Sequence, residues 1–377
     1  MKIAIFSDSF FPLVDGGTIS IKNNAEILSK KNKIFFFIPS KSQKLNIKNS
    51  QYIQLKSYGL ESYKGYKIRI PSFLKVYFKL KKIRPDIIHM HSIFGISWEG
   101  LIASKILKIP SVTTSHTIFS EATAELYLGG FEKTKIFQKI TWAYMRFFLN
   151  LNDFVITPSE IMKKELIAKK IKKPIYSISN GIDINKFPKV TRNKKEKISF
   201  VYVGRFAESK HIYESVKAFN LALKKGIKAD FLIFGVGPQK EKIKNYIKKN
   251  NLDKKIKLLG FLEHEKILRG YKKTDVFVTS STIETEGIST LEAMSTGLPV
   301  IGVNVRATPL LIKNAGIVVP NNNEEKMADA MIKLATNYKL RQKLGENASK
   351  IAKKYDLKEM NKKLFNLYKK IIKDYKK

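Results

Sequence analysis

The chain contains no cysteine, so a disulfide framework, a thiolate metal site and a cysteine nucleophile are all excluded. Its five histidines are scattered, and none stands in a metal-ligand spacing such as His-Glu-x-x-His. No apolar run reaches the ~18 charge-free residues that a transmembrane helix needs. The opening Met1-Lys2-Ile3-Ala4-Ile5-Phe6 is too short an apolar run for a secretory leader. These absences predict a cytoplasmic chain. Acidic side chains are scarce: 32 Asp and Glu stand against 71 Lys and Arg, a net charge of +39. Lysine is the default solvated residue here, which accounts for part of the excess. The remainder favours a polyanion, either nucleic acid or an anionic membrane surface, and composition does not choose between them.

What is present is an ordinary globular composition, 44% hydrophobic and 27% charged. At 377 residues the chain exceeds one typical core, and two domains are expected. Short β-branched and aromatic runs alternate with helical periodicity along both halves, the pattern of α/β folds with parallel sheets. Ile3–Phe6, Ile34–Pro39 and 175–178 read as strands of the first half, and Pro85–Ser92, Ser111–Thr117 and Asp153–Ser159 each as a strand running into a loop or turn. Residues 40–70 are polar and basic and read as irregular structure with an extended end at Lys67–Ile70. A lysine-rich run, 185–197, reads as the interdomain linker, after which the pattern restarts at Ile198–Val203. Helices over 324–336, 338–353 and 357–375 are expected to close the chain.

The most informative stretch is 280–301, S-S-T-I-E-T-E-G-I-S-T-L-E-A-M-S-T-G-L-P-V-I. It follows the buried-strand run Val276-Phe277-Val278. A loop then carries Glu284 and Gly287, a helix is expected to open near Ser289, and Gly297-Leu298-Pro299 ends it. Helix-start amides favour negative charge. The amides of Ile288, Ser289 and Thr290, set between Glu284 and Glu292, therefore suit a ligand with phosphates, a ribose and a sugar. Ser289-x-x-Glu292 also reads as a capping box, which would occupy Glu292 without any ligand.

Other candidates are weaker alone. Gly16-Gly17, between a strand and a helix, lets backbone approach a phosphate or a sugar. Gly204-Arg205-Phe206-Ala207-Glu208-Ser209-Lys210 follows a strand, where Arg bonds phosphate oxygens through its planar fork and Lys acts as a point charge. Gly235 ends another strand in a glycine turn. His91 and His116 fall at carboxyl ends of strands, where open α/β sheets bind ligands, although a lone histidine is more often structural. Phe73, Val76, Tyr77, Leu80 and Ile83 recur at helical spacing with Lys75, Lys79 and Lys82 on a neighbouring face. That segment is either a surface helix with solvated lysines or an interfacial one. Segment 131–151 mixes Phe131, Phe137, Trp142, Tyr144, Phe147 and Phe148 with Lys133, Lys135, Lys139 and Arg146, which suits core packing, a lipid interface or a hydrophobic acceptor channel.

Two of these stretches, E-T-E-G-I-S-T-L-E-A-M at 284–294 and G-R-F-x-x-x-K at 204–210, resemble the paired-glutamate and phosphate motifs of the retaining glycosyltransferases of family 4. D-I-I-H-x-H-S at 86–92, H-T at 116–117 and N-G-I-D at 180–183 are similar to further motifs of that family. R-I-P-S at 69–72 and S-H-T-I-F at 115–119 look like its bacterial diacylglycerol glucosyltransferases. The chain departs from them in Glu286, where those enzymes have Gln, and in Val305–Pro309, where the family has a Gly-rich turn followed by Pro-Glu.

The resemblance covers nearly the whole chain and implies an α/β GT-B fold, two Rossmann-like domains with parallel sheets facing a central cleft. Residues 1–184 would bind the acceptor and 198–356 the nucleotide sugar, with a helix over about 357–377 packing back on the first domain. It implies that Glu284 contacts hydroxyls of the donor sugar, Glu292 the ribose, and Arg205 and Lys210 the diphosphate, with His116 beside the reacting sugar. His116, Glu284, Arg205 and Lys210 would then be catalytic. Gly16, Gly17, Gly204, Gly235, Leu262, Gly287, Ile288, Ser289 and Thr290 would complete the donor site, and His91 would join His116 on the acceptor side. The implied reaction carries a hexose, glucose from UDP-glucose, to a lipid hydroxyl such as that of diacylglycerol or a glycolipid, with retention and with no cofactor or metal. An anionic membrane surface at the inner face of the cell membrane would be met through Phe73, Lys75, Tyr77, Lys79, Lys82 and Trp142. A soluble family 4 enzyme of polysaccharide synthesis shares every cleft motif, and a nucleotide-sugar epimerase can use the same GT-B fold. A basic nucleic-acid-binding protein accounts for the charge but not for Glu284, Glu292 and the glycine loops.

Overall fold

The computed structural model describes residues 1–13, 15–59, 67–69, 72–118, 134–260 and 264–376. Leu262, Ile70, Phe119 and, in the aromatic segment, Phe131 and Lys133 lie outside the described residues. The chain divides into two compact units, Met1–Gly181 with Leu357–Lys377, and Ile182–Asp356.

The first unit is built on β1 (Lys2–Phe6), β2 (Lys33–Pro39) and β3 (Ser50–Leu55), a small antiparallel pair β4 (Ser57–Gly59) and β5 (Lys67–Arg69), then β6 (Ile87–Met90), β7 (Ser111–Thr114), β8 (Phe154–Thr157) and β9 (Ile175–Ser177). The seven-stranded sheet runs β3-β2-β1-β6-β7-β8-β9, all parallel. β2 is a continuous apolar run because both faces of such a sheet are covered by helices. Side chains alternate between the faces. Phe35 and Phe37 join Phe6, Val76, Leu80, Leu101 and Phe148 in one core, under the helices Phe73–Ile83, Gly95–Ile106 and Lys135–Leu151. Ile34, Phe36 and Ile38 join Ile3, Ile5 and Ile21 in the other, under Gly16–Leu28 and Leu357–Tyr375. The last helix therefore belongs to the first unit. Its stripe of Leu364, Leu367, Tyr368 and Ile371 is buried there, at the spacing of one helical face.

β3 corrects the expectation of irregular structure across 40–70. It is an edge strand whose one neighbour is β2, and an edge tolerates polar residues such as Ser50, Gln51 and Gln54 that hide it from pattern reading.

The second unit carries β10 (Ile198–Val203), β11 (Ala229–Phe234), β12 (Ile256–Leu258), β13 (Val276–Thr279), β14 (Val300–Val303) and β15 (Gly316–Val319), in the order β12-β11-β10-β13-β14-β15 and again all parallel. Helices Glu324–Thr336 and Tyr338–Lys353 follow. The run 185–197, expected as a linker, is bound into this unit. Phe187 is buried in its core, Val190 donates from its amide to Thr296 O, and Arg192 bonds four backbone carbonyls. In both sheets the chain adds strands outward on one side and then restarts on the other. These switch points, between β1 and β6 and between β10 and β13, are where open α/β sheets bind ligands.

Candidate functional site

At the carboxyl ends of β10 and β13 two loops are stitched together. The Ser280 hydroxyl lies 2.9 and 2.7 Å from the carbonyls of Lys210 and His211, and the Thr282 amide donates to Ser209 O at 3.1 Å. This holds Lys210 Nζ 2.6 Å from Glu284 Oε1. Burial alone would push the Glu284 carboxyl up, but the charge and hydrogen bond of Lys210 outweigh it and hold the group below its ordinary value. Glu284 is therefore ionised, with its second oxygen able to accept from a ligand hydroxyl. The ammonium has three N–H bonds, so it can serve Glu284 and an anion together. Arg205 lies exposed on the same loop.

Gly204 and Gly235 are required by the fold itself. A Cβ on Gly204 would stand 2.8 Å from the Tyr202 hydroxyl, which donates to Arg205 O at 3.0 Å. Gly235 has φ +151 and a Cβ there would meet Gly204 O at 1.9 Å.

Gly287, at φ 90, is the N-cap of the helix Ile288–Ser295, and as a glycine it brings no capping side chain of its own. The helix thus opens beside Ser289 as expected, but Ser289 is its second residue and Glu292 its fifth, which rules out the Ser289–Glu292 capping box. The amides of Ile288, Ser289 and Thr290 keep the anion-favouring character of a helix N-terminus. Glu292 turns into the protein instead, 7% exposed, and accepts a 3.2 Å hydrogen bond from the Tyr271 hydroxyl. Burial pushes its carboxyl up to about 8, and the Tyr271 bond offsets this only in part.

Sequence reasoning missed Tyr271 and Arg192. Tyr271 is one aromatic in the basic helix His264–Lys273. The Arg192 guanidinium donates to Tyr271 O at 2.8 Å, Thr274 O at 2.7 Å, Thr296 O at 2.7 Å and Val190 O at 3.2 Å. It thus closes the carboxyl ends of the two helices that carry Tyr271 and Glu292, where a cation is favoured. No residue pattern announces a partner set made of backbone carbonyls.

In the first unit, Asp15 caps the helix Gly16–Leu28 through a reciprocal pair with Thr18, at 2.8 and 2.9 Å. Gly16 and Gly17, expected as a loop, form the first turn of this helix. A Cβ on Gly17 would stand 3.6 Å from the His116 ring, so that turn lies directly against the histidine. His116 Nε2 is 2.9 Å from His91 Nδ1. Behind them, His89 is a satisfied core residue, its nitrogens 2.5 Å from the Tyr368 hydroxyl and 2.7 Å from Thr114 Oγ1. Burial lowers His89 to about 3, His116 to about 4 and His91 well below its ordinary value, so all three rings are neutral near pH 7. Asp8, also missed, accepts from the Ser92 hydroxyl at 2.6 Å and the Ile96 amide at 2.7 Å, tying together the loops after β1 and β6.

The surface candidates divide. Lys75, Lys79 and Lys82 are exposed, but Phe73 packs against the core, as does Trp142 beneath the Lys169 ammonium, and Tyr77 is half-buried. The helical spacing of Phe73, Val76, Leu80 and Ile83 marks the inward face. The apolar residues that face outward are Leu74, 67% exposed, and Phe78, 61% exposed. Ile136, Ile140 and Phe147 are exposed on Lys135–Leu151, and Ile102 and Ile106 on Gly95–Ile106. Among the described residues no helix is long and apolar enough to cross a membrane, and no group of three or more His, Asp or Glu is placed to hold a metal.

Comparison with known proteins gives consistent matches over both units. A family model described as Glycosyltransferase Family 4 matches residues 14–186, and one described as Glycosyl transferases group 1 matches 183–351. The alpha-monoglucosyldiacylglycerol synthase of Acholeplasma laidlawii is 27% identical, over 94% of this chain and 93% of that protein. The UDP-Gal:alpha-D-GlcNAc-diphosphoundecaprenol alpha-1,3-galactosyltransferase of Escherichia coli is 32% identical, over 70% of each chain. Among solved structures, the sucrose-phosphate synthase of Thermosynechococcus elongatus superposes with a TM-score of 0.78 at 16% identity, over 99% of each chain, which speaks for the fold alone.

Proposed function

This chain belongs to the group 1, family 4 glycosyltransferases, and we propose that it transfers glucose from UDP-glucose to the hydroxyl of a membrane lipid such as diacylglycerol, with retention. The observation that carries the donor reading is the Lys210–Glu284 pair at 2.6 Å, beside a helix N-terminus whose N-cap is Gly287. One locus then offers cations and amides to a diphosphate and a carboxylate to sugar hydroxyls. Arg205, Lys210 and the amides of Ile288, Ser289 and Thr290 stabilise the charge that develops on the departing diphosphate, the largest single term in such reactions. The bond from the anomeric carbon to the diphosphate oxygen breaks on the face where the acceptor oxygen attacks, and the departing phosphate takes the acceptor's proton. Glu292 holds the ribose, and His116 orients the sugar. We assign the leaving-group charge to these groups without a metal, so excess EDTA should leave turnover unchanged. Loss of turnover restored by Mg²⁺ would reassign it.

The lipid acceptor rests on the Acholeplasma laidlawii relative, a glucosyldiacylglycerol synthase by name that aligns along most of both chains. It rests also on the exposed apolar and lysine side chains of the first unit, which suit attachment to the inner face of a membrane. A screen of labelled UDP-sugars against diacylglycerol, glycolipids and soluble sugars tests the reading. Label should enter the lipid fraction from UDP-glucose. Transfer only to soluble sugars would remove the lipid acceptor, and epimerisation without acceptor would remove the transferase.

A further inference from the structure

His91 and His116 meet through one ring nitrogen each, Nδ1 and Nε2, at 2.9 Å. Both rings are neutral, so each carries one N–H, and a single proton lies between them. If His91 donates, its Nε2 is bare and His116 carries its N–H on Nδ1. If His116 donates, the states of both far nitrogens reverse. The hydrogen state of one ring is therefore locked to that of the other. Among the described residues His91 Nε2 is buried with no hydrogen-bond partner, and His91 lines a small cavity with Ser20, Asn24, Thr114 and Asn180. The wall of that cavity is itself ordered. Asn361 donates to Asn24 at 2.9 Å, Asn24 to Ser20 at 3.2 Å, and Ser20 to Asn180 at 2.7 Å. The plane of His91 is set from behind by His89, with ring centroids 4.0 Å apart, and His89 is pinned at both nitrogens.

We propose that His91 is a positioning residue that fixes the orientation of His116 and couples its tautomer to that of His91 through this one shared proton. It acts only through His116, and so rests on the reading that His116 stands beside the reacting sugar. A ligand hydroxyl meeting His116 needs a donor or an acceptor, not either at random, and a neutral imidazole free to change tautomer supplies neither reliably.

The test uses the full chain with ¹⁵N-labelled histidine. In His91→Ala, the ring-nitrogen shifts of His116 should move, and His91→Asn, whose amide can still donate from nearly the same point, should bring them back toward the parent. His91→Ala should lower kcat about 10- to 100-fold, the scale of a misplaced catalytic group, with the donor KM little changed, and His91→Asn should recover most of it. In a His116→Ala background the His91→Ala change should have no further effect, because two residues that act as a unit are not additive. Unchanged His116 shifts in His91→Ala would overturn the proposal, as would losses that multiply in the double variant. If His116→Ala alone keeps parental turnover, the sugar-side role of His116 fails, and the shared proton is judged by the shifts alone.

Discussion

Glu284 and Glu292 are the same side chain in opposite environments. Lys210 keeps the first ionised, while burial pushes the second up to about 8. Two carboxylates whose environments drive them apart can hold two roles. Glu292 should take up a proton on folding at neutral pH, because its folded value lies above its ordinary one. Its contribution to stability then falls as pH rises from about 4.5 to about 8 and is flat above both. Glu292→Gln does not titrate, so its melting temperature should gain on the parent across that window. A gain absent or reversed would show that the carboxylate has another stabilising partner. The ribose role gives a separate outcome: UDP affinity of the parent should rise with pH through 8, and that of Glu292→Gln should be weaker and flat, measured by titration calorimetry. Arg205, exposed on the loop that carries Lys210, should matter for turnover and not for folding. Arg205→Ala is expected to lose about two to three orders of magnitude in kcat at an unchanged melting temperature, and near-parental kcat would remove it from the diphosphate.

Between elements, the decisive contact is Arg192, whose four carbonyl bonds join the ends of helices His264–Lys273 and Ile288–Ser295 to the run 185–197. Burial lowers its guanidinium to about 10, still charged at neutral pH. Arg192→Met keeps the length of the stem and leaves those carbonyls short of donors, each an unmet buried group costing about 1–3 kcal/mol. Urea unfolding should shift to clearly lower midpoint, and UDP affinity should fall with it, since Tyr271 and Glu292 sit on the helices released. An unchanged midpoint would show that water replaces the guanidinium without loss. This contact also marks the limit of sequence reading at the level of elements. Helices with a complete apolar stripe, such as Leu364, Leu367, Tyr368 and Ile371 of the last one, were legible because periodicity and burial coincide. The strand–loop–helix around Glu284 and Gly287 was legible because its residue types are chemically restrictive. The environment of Glu292 was not, since Gly287 opens the helix by a left-handed backbone while Ser289 and Glu292 imitate a capping box. Phe73 was assigned outward but packs on the core for a related reason, as spacing reports that a helix has two faces without saying which is wet.

At the scale of the whole molecule, +39 is too diffuse to identify a partner, and position decides. The outward face of helix Phe73–Ile83 pairs exposed Leu74 and Phe78 with Lys75, Lys79 and Lys82, and the neighbouring helices of the same face add Ile102, Ile106, Ile136, Ile140 and Phe147. Each lysine close to an anionic bilayer contributes roughly 1 kcal/mol, fading within a Debye length of about 8 Å at physiological salt. Apolar side chains add attachment that salt does not screen. Binding of the full chain to vesicles should therefore rise with the anionic lipid fraction and fall only partly in high salt. Replacing Lys75, Lys79 and Lys82 by Glu should remove the salt-sensitive part. Leu74→Ser with Phe78→Ser should remove the salt-resistant part, and neither set should change UDP affinity. Phe73 packs against the core, so changing it should lower the melting temperature before it changes vesicle binding. Sedimentation that finds no binding to anionic vesicles, or parental binding by both sets of variants, would detach this face from the membrane and turn the choice of acceptor back to soluble sugars.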